Sequence, residues 1–78
     1  MITLDEAKEM LAEAERDFEA DTGGCADEVW YDLVVATAHN ILLEHPGCED
    51  VAREFCRTEV GSIPHDLEPM LGRKDWIQ

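Results

Sequence analysis

The sequence predicts an all-α protein: a three-helix bundle with a short C-terminal helical turn. Apolar residues recur at intervals of three and four along three successive segments, and glycine or proline separates these segments. No segment shows the two-residue alternation of a β-strand. A chain of 78 residues is long enough for one small domain, which we assign to residues 1–78.

The first helix is predicted over residues 4–21. Thr3 and Glu6 have the spacing of a capping box at its start, and Gly23 and Gly24 favour a left-handed cap at its end. One apolar stripe follows the helical repeat: Leu4, Ala7, Leu11, Ala14 and Phe18. We expect this stripe to face the core.

The second helix is predicted from Asp27, as its N-cap, to Glu44 or His45, because Pro46 and Gly47 prevent continuation. Its apolar residues cover well over half of the circumference: Val29, Trp30, Leu33, Val34, Thr37, Ala38, Ile41 and Leu42. A helix of this kind is mostly buried. We therefore expect it to be the central helix.

The third helix is predicted over residues 49–60, ending at Gly61. Its charges suit the helix dipole, with Glu49 and Asp50 in the first turn and Arg53 and Arg57 later. Beyond it, two prolines permit only a short turn, whose apolar residues should cover the open end of the bundle: Ile63, Leu67 and Leu71.

Charge is the most informative feature of the composition. The chain has 19 acidic and 6 basic residues, and residues 1–32 hold eleven acids and two bases, a net charge of −9. Such a surface repels nucleic acid and anionic membranes and attracts basic proteins. We therefore expect a protein partner, with no direct binding to nucleic acid or membrane.

The N-terminus lacks the basic and apolar regions of a signal peptide, and no apolar run approaches the length of a membrane span. The cysteines are odd in number (Cys25, Cys48 and Cys56) and form no CxxC motif. These observations predict a reduced cytoplasmic protein.

Acidic residues form a stripe on the first helix opposite its apolar side: Glu6, Glu9, Glu13 and Asp17. Asp17, Glu19 and Asp21 also lie towards the helix end, where an exposed acid costs roughly 0.3–1 kcal/mol against the dipole. We interpret these six acids as a partner-binding surface, with Trp76, or Tyr31 if exposed, as an apolar anchor. The competing interpretation is a face that only keeps the protein soluble.

Three groups of residues have the side chains that catalytic or metal sites use. Glu28, Asp32 and His39 fall on one edge of the second helix, but no second ligand pair accompanies them. The three cysteines with His45 or His65 lack the closely spaced ligand pairs of structural zinc, and the dipeptide at 65–66 lacks further metal ligands. We predict no enzyme activity, no bound metal and no cofactor.

In its short length, strong acidity and lack of a catalytic motif, the chain resembles the small inhibitors made by phages and mobile elements, nearest to anti-CRISPR and DNA-mimic proteins. The resemblance implies that the acidic face occupies the basic surface of a nucleic-acid-binding complex, such as a CRISPR effector in a bacterial host cytoplasm, and prevents DNA docking. The alternative is a small regulatory or adaptor subunit, antitoxin-like, that binds its partner through an apolar helix face.

Overall fold

The computed structural model describes residues 2–71 and shows three α-helices that each pack against the other two. They are α1 (Leu4–Thr22), α2 (Trp30–Glu44) and α3 (Glu49–Val60). One 3₁₀ helix, Ala26–Val29, precedes α2, and another, His65–Leu67, follows α3. The predicted all-α three-helix bundle with a short helical turn is confirmed.

The ends of α1 form as its sequence predicts. The Thr3 hydroxyl accepts a hydrogen bond from the Glu6 N–H, and the Glu6 carboxylate accepts one from the Thr3 N–H, at 3.2 and 2.9 Å. At the other end Gly23 has a φ of 72°, a left-handed conformation that glycine adopts without steric cost. Its N–H donates to the Glu19 carbonyl at 2.9 Å, which closes the helix.

The start of α2 differs from the prediction, because Asp27 is not its N-cap. Asp27 lies inside the 3₁₀ helix, and α2 begins three residues later, at Trp30, with no side-chain cap hydrogen bond. The chain instead makes a 3₁₀ turn across Asp27: the Glu28 N–H donates to the Cys25 carbonyl at 3.1 Å, and the N–H of the buried Ala26 donates to the Glu19 carboxylate of α1. Asp27 therefore lies too early in the chain to cap α2, which begins at Trp30.

The core lies between the three helices and is lined by residues from each of them. The side chains of Val34, Ile41 and Phe55 are fully buried, together with Ala7, Ala38, Ala52 and Cys56. Phe18, predicted to belong to the core stripe, is only partly buried, and a Cβ at Gly24 would lie 3.4 Å from its ring. The C-terminal end of the apolar stripe of α1 therefore packs against the loop after α1 rather than in the core.

Two long-range hydrogen bonds connect the elements. The Trp30 indole N–H donates to the Glu59 carbonyl at 3.3 Å, which joins the start of α2 to the end of α3. The Arg53 guanidinium donates to the Leu71 carbonyl at 2.5 Å and also pairs with Asp50.

The segment after α3 covers the bundle as predicted. Leu67 and Leu71 are buried, and Ile63 is partly buried against the same core. Trp76 lies outside the described residues. Between residues 2 and 71, no helix combines the length and the apolar character needed to cross a bilayer.

Candidate protein-binding surface

The solvent-facing side of α1 presents four exposed carboxylates, which we call the acidic stripe: Glu6, Glu9, Glu13 and Asp17. The opposite side of the helix holds Ala7 and Leu11, which are buried in the core. Because the core fixes the rotation of α1, the four carboxylates are held on one side of the bundle. The capping box fixes the helix start beside Glu6.

The acidic stripe is a row of negative charges that is less dense than one DNA strand. From Glu6 to Asp17 the helix rises by about 16 Å, since each residue adds ~1.5 Å. The four carboxylates divide that length into three intervals of roughly 5.5 Å, whereas a strand of duplex DNA carries one phosphate per ~3.4 Å of helix axis. A cationic surface that binds a DNA backbone therefore meets on α1 a row of charges of the same sign at about 60% of the linear density.

The ion pairs between described residues lie away from the acidic stripe. Arg53 pairs with Asp50 on α3, and His65 lies 3.5 Å from Glu68, a pair that is charged only when the imidazole is protonated. The last turns of α1 and α2 contain no basic residue. Within α1 itself, Lys8 and Arg16 offset two of its eight acidic residues, which leaves the helix with a net charge of −6.

Glu19 has a structural role that the sequence did not reveal. Its carboxylate accepts a hydrogen bond from the Ala26 N–H at 3.1 Å, in a partly buried position. It therefore caps the 3₁₀ helix that follows α1, and its position near the end of α1 is explained by the fold. Asp21 is exposed and lines a shallow depression with Asp17 and Ala20 at the end of α1.

A groove between α1 and α2 extends the acidic stripe onto the second helix. Its lining is Met10, Glu13, Ala14 and Asp17 from α1 and Asn40 and Glu44 from α2. Glu44 was not among the predicted site residues, although it is the last residue of α2 and thus another acid at a helix C-terminus. Asp21 was selected because an acid is unfavourable at a helix C-terminus, and the same reasoning could have identified Glu44.

The exposed apolar residues do not form one patch. Tyr31 is 50% exposed and Leu43 is 59% exposed. They lie twelve residues apart on α2, which is about 18 Å along the axis. Isolated apolar side chains are ordinary on protein surfaces. Tyr31 is nevertheless accessible, as an apolar anchor requires.

The candidate metal ligands Glu28, Asp32 and His39 lie on two different elements. Glu28 lies on the 3₁₀ helix, whereas Asp32 and His39 lie on α2. Among residues 2–71 no group of three or more histidine, cysteine or acidic side chains is arranged to hold a metal ion.

The three cysteines are free and differ in exposure. Cys25 is exposed, whereas Cys48 and Cys56 are buried. Burial raises the pKa of the Cys56 thiol to about 11, because the thiolate loses its hydration there. Cys56 is thus a core residue with little nucleophilic character.

Comparisons with protein-family models, curated proteins and solved structures find no match to this chain.

Proposed function

We propose that this protein is a small acidic inhibitor that binds the basic nucleic-acid-binding surface of a protein complex and prevents DNA from docking there. The observation that carries the proposal is the acidic stripe, four exposed carboxylates in one row with about 60% of the linear charge density of a DNA strand. A CRISPR effector in a bacterial cytoplasm is one complex with such a surface, and the protein would act there without catalysis.

The physical role of the stripe is to guide the encounter and to select a cationic partner. Attraction between opposite charges raises the association rate and disfavours acidic partners. Each exposed ion pair contributes roughly 0.2–1 kcal/mol, so four pairs contribute about 1–4 kcal/mol. A millimolar complex already requires about 4 kcal/mol. Tight inhibition therefore needs additional contacts that exclude water, and we assign Trp76 or Tyr31 to this role.

The proposal is tested by capture of the partner. The tagged protein is incubated with lysates of bacteria that carry CRISPR or restriction systems, and bound proteins are identified by mass spectrometry. We expect a basic, DNA-binding complex that elutes at high salt and is displaced by duplex DNA. A captured partner that neither salt nor DNA displaces would exclude this mechanism.

The alternative, a regulatory or adaptor subunit that binds through an apolar face, predicts the opposite salt response. An apolar complex is insensitive to moderate salt or is strengthened by it, because apolar association does not depend on screened charges. The exposed apolar residues Tyr31 and Leu43 are too far apart to supply such a face by themselves. The described surface therefore favours the inhibitor.

A further inference from the structure

We propose that the groove between α1 and α2 receives an arginine side chain of the basic partner. This inference rests on the proposed function, since it assigns the residue type that the partner presents to the acidic surface. It adds Glu44 and Asn40 of α2 to a surface that otherwise lies on α1.

The lining of the groove matches the two parts of an arginine side chain. Met10 and Ala14 are partly buried and offer an apolar floor on which three methylene groups can lie. Glu13 and Asp17 come from α1 and Glu44 from α2, so carboxylates flank this floor on both sides. A cationic head with an apolar stem is the side chain that such a groove fits.

The residues that line the groove have more hydrogen-bond acceptor atoms than a lysine ammonium group can use. Three carboxylates and the side-chain carbonyl of Asn40 provide seven acceptor oxygens, whereas an ammonium has three N–H donors and a guanidinium has five. The guanidinium is also planar and weakly hydrated, so it can lie flat on the apolar floor at a lower desolvation cost. These properties favour arginine over lysine.

The α2 helix adds a further contribution to the attraction of a cation. Glu44 is the last residue of α2, where the unpaired carbonyl groups carry partial negative charge. The last turn of α2 holds no basic residue to offset it. A cation in the groove is therefore attracted by the helix terminus as well as by the carboxylates.

The experiment compares hexa-arginine with hexa-lysine, two peptides of equal charge, titrated into the isotopically labelled full chain and followed by NMR. We expect hexa-arginine to bind more tightly and to shift the Asn40 side-chain amide and the Met10 methyl signal. Glu44→Gln should weaken hexa-arginine binding roughly three- to fivefold, the effect of one exposed charge pair. Glu54→Gln removes the same charge from an exposed site on α3 and should leave the affinity unchanged.

The stripe variant Glu9→Gln separates this inference from the proposed function, because Glu9 belongs to the acidic stripe and lies outside the groove. If Glu9→Gln weakens binding while Glu44→Gln behaves like Glu54→Gln, the arginine groove is wrong and the acidic stripe stands. If neither variant weakens binding, both are wrong. Equal affinity for the two peptides would also overturn the arginine assignment.

Discussion

The carboxylate of Glu19 accepts a hydrogen bond from the backbone N–H of Ala26, at a distance of 3.1 Å. This contact joins the last turn of α1 to the first residue of the following 3₁₀ helix and satisfies an N–H that has no partner within that helix. Of the six acids that the sequence assigns to a partner, two are thus also used by the fold: Glu19 here, and Glu6 in the capping box of α1. The unfavourable interaction of Glu19 with the negative end of the α1 dipole is offset by this hydrogen bond, which caps the 3₁₀ helix.

We predict that Glu19→Ala is less stable than Glu19→Gln by about 0.5–1.5 kcal/mol, because glutamine keeps an acceptor oxygen and alanine removes it. Both variants remove the same charge, so the dipole contribution cancels in the comparison. The free energy of unfolding is measured by urea denaturation. Since alanine is the better helix former by a few tenths of a kcal/mol, a Glu19→Ala variant more stable than Glu19→Gln would show that the contact with Ala26 contributes nothing.

We predict that Asp21→Lys raises the free energy of unfolding by about 0.3–1 kcal/mol, since a cation suits the negative end of α1 and Asp21 is exposed. The matched control is Glu9→Lys, which changes the net charge equally but lies far from the helix end. The gain should diminish at high salt. From the sequence alone, lysine at both Glu19 and Asp21 is expected to stabilise the helix; the structure limits this expectation to Asp21.

Trp30→Phe tests the connection between α2 and α3. The substitution keeps an aromatic ring but removes the indole N–H that donates to the Glu59 carbonyl. We expect a loss of about 1–2 kcal/mol, from one hydrogen bond and some apolar contact. A thermal melt followed by circular dichroism gives the value. An unchanged Tm would mean that the hydrogen bond is not made in solution.

Cys56 should make the stability depend on pH in the alkaline range. An unfolded thiol loses its proton near the ordinary pKa of 9.0, whereas the buried thiol keeps it until about 11. Deprotonation between these values favours the unfolded chain, so the contribution of Cys56 is complete below pH 9 and is lost towards pH 11. We expect Tm to fall more steeply over this range in the parent than in Cys56→Ala. Parallel slopes would contradict the burial of the thiol.

The helix boundaries that could be predicted are those set by local sequence. The Thr3–Glu6 capping box and the glycines after α1 and α3 act within a few residues, so their effect is visible in the sequence itself. The start of α2 could not be predicted, because it depends on the burial of Ala26 and on an acceptor seven residues earlier in the chain.

Part of the candidate surface could be predicted, because it too depends only on residues close together in the sequence. The acidic stripe follows from the helical period alone, since residues three and four apart share a face. The groove needs Asn40 and Glu44 to lie beside Met10 and Asp17, and this proximity depends on how α2 packs against α1. Helical periodicity does not give that packing.

Reversing the charge of the acidic stripe tests whether this surface binds the partner. Glu9, Glu13 and Asp17 are replaced together by lysine, and the control replaces three exposed acids outside the stripe, Asp27, Glu54 and Asp66, so that both variants gain the same charge. Circular dichroism should show that both keep their helix content, because all six side chains point to solvent.

Both variants are then titrated against the captured partner at low and high salt. We expect the stripe variant to lose binding at both salt concentrations. The control should bind with an affinity near that of the parent, slightly reduced at low salt by its lower net charge. If the stripe variant binds as well as the control, the acidic face of α1 serves only solubility and the partner binds elsewhere.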